Sequence, residues 1–404
     1  MRILFSHTNF PAQFRRLVPA LVQEGHDVVF LAKSKEWHAT HSEGFRLLKY
    51  ECAREGGSAA IHPYLRKFES AVLEGQACYR LAMGLVDEGW FPDWIINHVG
   101  YGNGFYLGDA FPQARRIGLF EWYYKSIDSD VDFLEGGFVH PDRQLKLRTW
   151  NAQILLELAD CDHCITPTYW QRQQFPDKFR DHMTVLHEGI DVEFMGTLKK
   201  QSMPRPSVLP DDPRIEVVTY VSRCFEEYRG FPQVMRALEL LQQRRPNLHV
   251  LIAGHDGIAY GAGRADGRSW GKWAREECQL DPANTHWLGM LQEQEYWQVL
   301  AHSQVHIYLT IPFVLSWSLL EAMAAGCALV ASDTPPVQEV LSHEDSALLV
   351  DFFDSEAQAC AIERLLDNPI LAVQLANSAK QRVQDYGAAK GIADWKSLLG
   401  VRAC

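Results

Sequence analysis

The chain has 404 residues, 47% hydrophobic and 22% charged, enough for two globular domains of ~200 residues each. Its formal net charge of -12 disfavours nucleic acid as a partner, and its 9 scattered cysteines suit a reducing compartment rather than a disulfide framework. A strand begins directly after Met1-Arg2 and no apolar run approaches transmembrane length. These features lead us to expect a cytoplasmic protein, with a peripheral hold on the inner face of a membrane left open.

In chain order, Ile3 to Ser6 reads as a first strand, Ala12 to Glu24 as a helix stopped by Gly25, and Asp27 to Ala32 as a second strand. This is a Rossmann-like opening without the G-x-G-x-x-G of dinucleotide binders, which disfavours a nicotinamide dehydrogenase. In the connecting loop, Phe10 and Phe14 can staple the turn, or Phe10 and Gln13 can face a ligand. Leu65 to Gly84 reads as a long amphipathic helix. The strand Asp93 to Asn97 runs into His98 and a turn with three glycines, which lets a backbone approach a ligand closely.

The strand Ile117 to Phe120 ends on Glu121-Trp122-Tyr123-Tyr124. A carboxylate beside aromatic rings suits carbohydrate, because rings stack on sugar faces and the acid binds hydroxyls; core aromatics with a solvated Glu are the other reading. Asp128, Asp130 and Asp132 have the D-x-D spacing of a cation site, but no strong strand precedes them, and no metal is expected. Cys161 and Cys164 form a lone CxxC with no second pair at zinc-ribbon spacing, so a structural role is expected. Thr149 to Leu158 reads as a helix, and Cys164 to Thr166 and Thr184 to His187 as strands. Gly196 to Pro213 lacks apolar periodicity and reads as an interdomain linker.

The second half opens with the β-branched strand Ile215 to Ser222, then Arg223 and Arg229-Gly230. Two arginines on one loop can neutralise two phosphates, unless Glu226 and Glu227 pair with them. The helix Phe231 to Arg244 and the strand His249 to Ala253 follow, then a glycine-rich insertion, Gly254 to Lys272, of no assigned role. Further on come the strand Asn284 to Leu288 and the helix Glu293 to His302. The stretch Gln304 to Pro336 organises the chain. It reads as a strand, Val305 to Leu309, a loop, and a helix capped by Ser316 or Ser318 and stopped by Gly326; a strand from Ala328 completes it. Such a loop offers the unpaired N–H groups of a helix N-terminus to an anion such as a diphosphate. Glu321, about one turn inside the helix, can accept two hydrogen bonds from a ribose diol. Ala347 to Val350 is a last strand, followed by helices over Ser355 to Leu366, Leu371 to Tyr386 and Ile392 to Leu399.

Glu321-Ala322-Met323-Ala324-Ala325-Gly326 and Val330-Ala331-Ser332 resemble the nucleotide-sugar signature of the family 4 glycosyltransferases. These are retaining enzymes of the α/β GT-B fold, with two Rossmann-like domains facing across a cleft. The resemblance departs at the first Glu of the Glu-x7-Glu motif, where Phe313 stands, and at the glycine-rich turn, here Leu315-Ser316-Trp317. It implies an acceptor-binding domain over 1–195, a linker over 196–213, a nucleotide-sugar domain over 214–375, and helices over 376–404 crossing back to the first domain.

It further implies a donor site of Arg223, Arg229, Gly289, Met290, Phe313, Ser316, Trp317, Ser318 and Glu321, with the arginines clamping the diphosphate. His98 and Glu121 join the arginines in catalysis, and Phe10, Gln13, Trp122 and Tyr123 line the acceptor side. The expected activity is metal-independent, retaining transfer of a sugar from a nucleoside diphosphate to a hydroxyl acceptor, for example in envelope polysaccharide synthesis, with no other cofactor. Two ways of holding the sugar without the first Glu stand equal: Phe313 faces it, or Phe313 packs inward and Ser316 and Ser318 meet it. An inactive partner subunit of the same fold is the rival reading. A phosphorylase is disfavoured because no pyridoxal-phosphate lysine is identifiable.

Overall fold

The computed structural model describes residues 1–33, 44–201 and 203–401. It divides into two units: Met1–Gly189 with Ala388–Cys404, and Ile190–Gly387.

The first unit is built on a 7-stranded sheet of order β3-β2-β1-β4-β5-β6-β7. The strands are β1 (Arg2–Ser6), β2 (Asp27–Ala32), β3 (Arg46–Lys49), β4 (Trp94–His98), β5 (Arg115–Leu119), β6 (His163–Thr166) and β7 (Met183–Val185), all paired in parallel. β1, β2 and β4 are apolar almost without alternation, as strands covered on both faces must be. The chain winds outward from β1 to β3, then returns to place β4 on β1's other side. β1 and β4 therefore flank the point where the winding reverses, and ligands of open parallel sheets bind beyond the strand ends there. His7 follows β1 and His98 ends β4.

The second unit repeats the plan with a 6-stranded sheet of order β10-β9-β8-β11-β12-β13. Its strands are β8 (Glu216–Cys224), β9 (Leu248–His255), β10 (Thr285–Gly289), β11 (Val305–Tyr308), β12 (Ala328–Ser332) and β13 (Leu348–Val350), again all parallel. Here the reversal falls between β8 and β11, the strands that lead into the arginine loop and the Gln304–Pro336 loop.

Four expectations are corrected. The helix expected over residues 12–24 is α-helical only over Leu17–Gln23, after a 3-10 turn at Ala12–Phe14. Pro19 has no N–H and fits only a first helical turn, where no intrahelical partner is needed. The helix expected from Thr149 is two helices, Pro141–Trp150 and Ala152–Asp160, meeting at Asn151. The linker expected over 196–213 belongs to the second unit, where Met195 and Leu198 are buried beside Leu319 and Met323. The helix Pro369–Arg382 stays with that unit through Ala379 and Val383, so the return to the first unit comes at Ala388 rather than 376. From there Ala388–Leu399 buries Trp395 and Leu399 in the core of β1, β2 and β4, with the Trp395 ring against Phe14.

Candidate functional site

In the second unit, β8 carries Arg223 near its carboxyl end, exposed and with no hydrogen-bond or ion-pair partner among the described residues. The chain then turns through the 3-10 segment Glu227–Arg229 to Gly230, whose φ is +61°. A Cβ there would lie 2.5 Å from the Leu309 side chain, so glycine serves both the backbone conformation and the close approach. Arg229 is buried. Its Nη1 donates to Thr310 Oγ1 at 2.8 Å, to the Val314 carbonyl at 3.0 Å and to Tyr308 Oη at 3.2 Å. Tyr308 Oη also accepts from the Ser316 N–H at 2.9 Å. Arg229 thus ties the arginine loop to the loop after β11.

The helix Trp317–Ala325 follows. Ser316 is its N-cap, accepting from the Ser318 N–H, and Gly326 closes it with φ +73°. Glu321 is partly buried and accepts from Tyr296 Oη at 2.9 Å, which fixes the carboxylate one turn inside the helix. Gly289 ends β10 with φ +65°, and Met290 beside it is exposed. Trp317 packs partly against the core cluster of Leu319 and Met323.

Phe313 does not present its face. It is 8% exposed, with its ring 5.2 Å from that of Tyr228 and 5.1 Å from that of Tyr260. An apolar ring gains more from this packing than from water. Of the two ways of holding the sugar, its packing is that of the inward one.

Sequence reasoning missed Glu226, which it read only as a possible arginine partner. Glu226 is fully buried. Its Oε2 accepts from three consecutive N–H groups, those of Ala259, Tyr260 and Gly261, at 2.9–3.1 Å, and thereby pins the 254–272 insertion to the arginine loop. The remainder of that insertion leads to a helix, Trp270–Glu277, whose N-cap Ser269 and Gly271 N–H are both held by Asp256. The glycines at 254, 257, 261 and 263 were the available signal that a backbone approaches something closely there.

In the first unit, His7, Gln13, His98 and Glu121 come together. The His7 and His98 rings lie 4.6 Å apart, edge to face. Gln13 Nε2 donates to Glu121 Oε1 at 2.5 Å, and His98 Nε2 lies 3.2 Å from Glu121 Oε2. Gln171 Nε2 holds the Glu121 carbonyl at 2.8 Å. Burial would raise the Glu121 pKa, but His98, Gln13 and His7 more than offset it and bring it down to about 2. His7 is driven down to about 3, by burial first and His98 second, so its imidazole is neutral. The Asn9 N–H donates to His7 Nδ1 at 2.8 Å, which leaves the proton on Nε2. The cluster therefore offers a fixed carboxylate and two imidazoles, a set suited to binding hydroxyls.

The aromatic rings expected on the acceptor side pack on neighbouring rings or are buried. Phe10 packs on Phe30 and Phe45, Tyr123 on Phe175, and Trp122 is buried. The exposed ring beside the histidines is Tyr101, which sequence reasoning passed over; its centroid is 5.4 Å from His98 and 5.6 Å from His7. Beneath this turn, Asn97 Nδ2 donates to the buried Glu157, whose pKa burial pushes up to about 8. A Cβ on Gly104 would strike the same two side chains.

Among the described residues no three His, Cys, Asp or Glu side chains are grouped to hold a metal ion. The D-x-D segment is used locally: Asp132 accepts from the Asp128 and Ser129 N–H groups at the start of the helix Asp130–Leu134. Burial raises both CxxC thiols, Cys164 to about 11, which makes thiolate chemistry unfavourable. No helix of the described residues is long and apolar enough to cross a membrane.

Comparison with known proteins gives a match on each half. Residues 24–195 match the family model "Glycosyl transferase family 4 group" and residues 201–382 match "Glycosyl transferases group 1". The phosphatidyl-myo-inositol mannosyltransferase of Mycolicibacterium smegmatis is 27% identical over 173 residues, 42% of this chain; the match spans only 41% of that relative's length. The solved sucrose-phosphate synthase of Thermosynechococcus elongatus superposes with a TM-score of 0.69 at 18% identity, over 99% of this chain and 98% of its own. Anabaena HepE in complex with UDP and glucose superposes with a TM-score of 0.69 at 14% identity over the whole of both chains. With two doubly wound parallel units and a glycosyltransferase model matched on each half of the sequence, the chain has the α/β GT-B fold and is similar to glycosyltransferases along both halves.

Proposed function

We propose that this chain is a glycosyltransferase that moves a sugar from a nucleoside-diphosphate sugar to a hydroxyl acceptor, with retention of anomeric configuration and without a metal ion. The observation that carries the reading is the pair of arginines that bound one turn, Arg223 at the end of β8 and Arg229 in the 3-10 segment that follows. Arg229 spends its Nη1 on holding the loop after β11, whereas Arg223 is exposed and unpaired, with nothing of its own to neutralise. A free guanidinium at the carboxyl end of a parallel strand suits a diphosphate, and it stabilises the negative charge that develops when the diphosphate leaves. Glu321 is the group for the ribose diol, and Gly289 and Met290 border the base. In the first unit, His98 and Glu121 serve sugar or acceptor hydroxyls, with Gln13 orienting the carboxylate. Among structural neighbours, HepE is described with UDP and glucose, which supports a nucleotide-sugar donor. The departing phosphate oxygen would take the acceptor's proton, so no general base is required. A cytoplasmic enzyme of envelope polysaccharide or glycoconjugate synthesis is the setting we favour.

Thermal shift against UDP, GDP and ADP, with the matching nucleosides as controls, tests the binding half of this reading. Release of free sugar from a donor panel tests the chemistry, and its absence with every donor favours an inactive partner subunit. Glu321→Gln is expected to fold normally and to bind ribonucleotides about three- to ten-fold more weakly, with a reduced preference for ribo- over 2′-deoxyribonucleotides. An unchanged ribo/deoxy ratio in calorimetry removes Glu321 from the ribose.

A further inference from the structure

The position at which the resemblance calls for a sugar-binding carboxylate is Phe313, and Phe313 is covered. What covers it is Tyr228 from the arginine turn and Tyr260 from the insertion. Tyr260 lies with its ring 5.1 Å from Phe313 and 5.6 Å from the Arg229 guanidinium, and it remains 43% exposed. Its phenol has no hydrogen-bond partner among the described residues, while its backbone is fixed by Glu226. The surface offered beside the arginine loop is thus a tyrosine ring held in place by a fully buried carboxylate, where the motif would have put a free acid.

We propose that Tyr260 is the sugar-contacting, specificity-determining residue of the donor site, and that Glu226 is the residue that positions it. The proposal rests on the nucleotide-sugar reading above and adds the group that meets the sugar. Three observations converge on it. Glu226 lies in the chain between Arg223 at the end of β8 and Arg229 in the following 3-10 segment, so the anchor of Tyr260 and the proposed diphosphate clamp share one short stretch. Its Oε2 takes three successive N–H groups centred on Tyr260, which fixes the backbone that carries that side chain. An exposed ring with a free phenol can stack on the C–H face of a pyranose and exchange one hydrogen bond with a hydroxyl, which phenylalanine at 313 cannot do. Such a surface favours a hexose with an apolar face turned toward it, where a carboxylate would select for two adjacent hydroxyls.

The test uses the full-length chain and three matched pairs: UDP with UDP-glucose, GDP with GDP-mannose, and ADP with ADP-glucose. The pair that the unsubstituted protein binds most tightly is carried forward. Tyr260→Ala is expected to lower affinity for the sugar conjugate about five-fold while changing that for the free diphosphate less than about two-fold. Tyr260→Phe, which keeps the ring, is expected to recover part of the loss. Tyr260 is 43% exposed, so both variants are expected to fold, which circular dichroism and the unchanged affinity for free diphosphate check. Glu226→Ala is expected to reproduce the Tyr260→Ala pattern if it stays folded by circular dichroism. Equal losses for conjugate and free diphosphate, or no loss for either, overturn the proposal and leave the nucleotide-sugar reading intact. Failure of the unsubstituted protein to bind any of the three diphosphates overturns that reading, and the proposal with it.

Discussion

Arg223→Ala is expected to weaken nucleoside-diphosphate binding by about ten-fold to one-hundred-fold while leaving nucleoside binding and the melting temperature unchanged. A charge-assisted hydrogen bond is worth roughly 1.5–3 kcal/mol, and an exposed arginine without a partner contributes nothing to the fold that its removal would forfeit. Arg229→Ala is a different experiment. It strips the donors from Thr310, the Val314 carbonyl and Tyr308, which lie in a buried network, so stability falls together with affinity. Arg223 is therefore the clean probe. Calorimetry with UDP, GDP and ADP and their nucleosides decides the matter, and equal loss for diphosphate and nucleoside would return Arg223 to the plain surface.

The second large effect concerns pH. Glu157 is raised from 4.5 to about 8 because burial penalises its charged form. Between those values the folded chain holds a proton that the unfolded chain has lost, so stability falls as pH rises through this window. Each pH unit crossed there costs about 1.4 kcal/mol, and the whole loss is on the order of 3–5 kcal/mol. Glu157→Gln mimics the neutral acid and still accepts from Asn97. Its stability relative to the parent should therefore improve steadily from pH 5 to pH 8.5 in denaturant titrations. A gap that does not vary with pH would show that Glu157 titrates normally. Glu121 has the opposite sign. Held near 2, it supports the fold above 4.5 and loses that support as pH falls toward 2.

Much of this was legible in the sequence because it depended on local rules. Short β-branched runs gave most strands, and Ser316 and Gly326 bounded the helix of the central motif in the way their side chain and backbone require. The position of His98 followed from the end of a strand. What was not legible depended on contacts distant in the chain. Glu226 and the 259–261 backbone are more than thirty residues apart, and no period or spacing announces their bond. The aromatic residues at Phe10 and Tyr123 were ambiguous for a similar reason: a ring that stacks on a sugar and a ring that fills a core have the same composition, and only the neighbours Phe45 and Phe175 decide. β3 escaped notice because Arg46–Lys49 is a short edge strand with charged ends.

The return of Ala388–Leu399 to the first unit bears on how the chain is made. Synthesis delivers β1 to β7 first, but the cluster around Phe5, Phe14 and Phe30 lacks Trp395 until all of Ile190–Gly387 has been translated. At ~5–20 residues per second that interval lasts roughly 10–40 s. For that time Phe14 has no Trp395 ring beside it, whereas the second unit is continuous in sequence and needs no later segment. The unit begun first is completed only after the other has been made, by the helix Ala388–Leu399 that follows it.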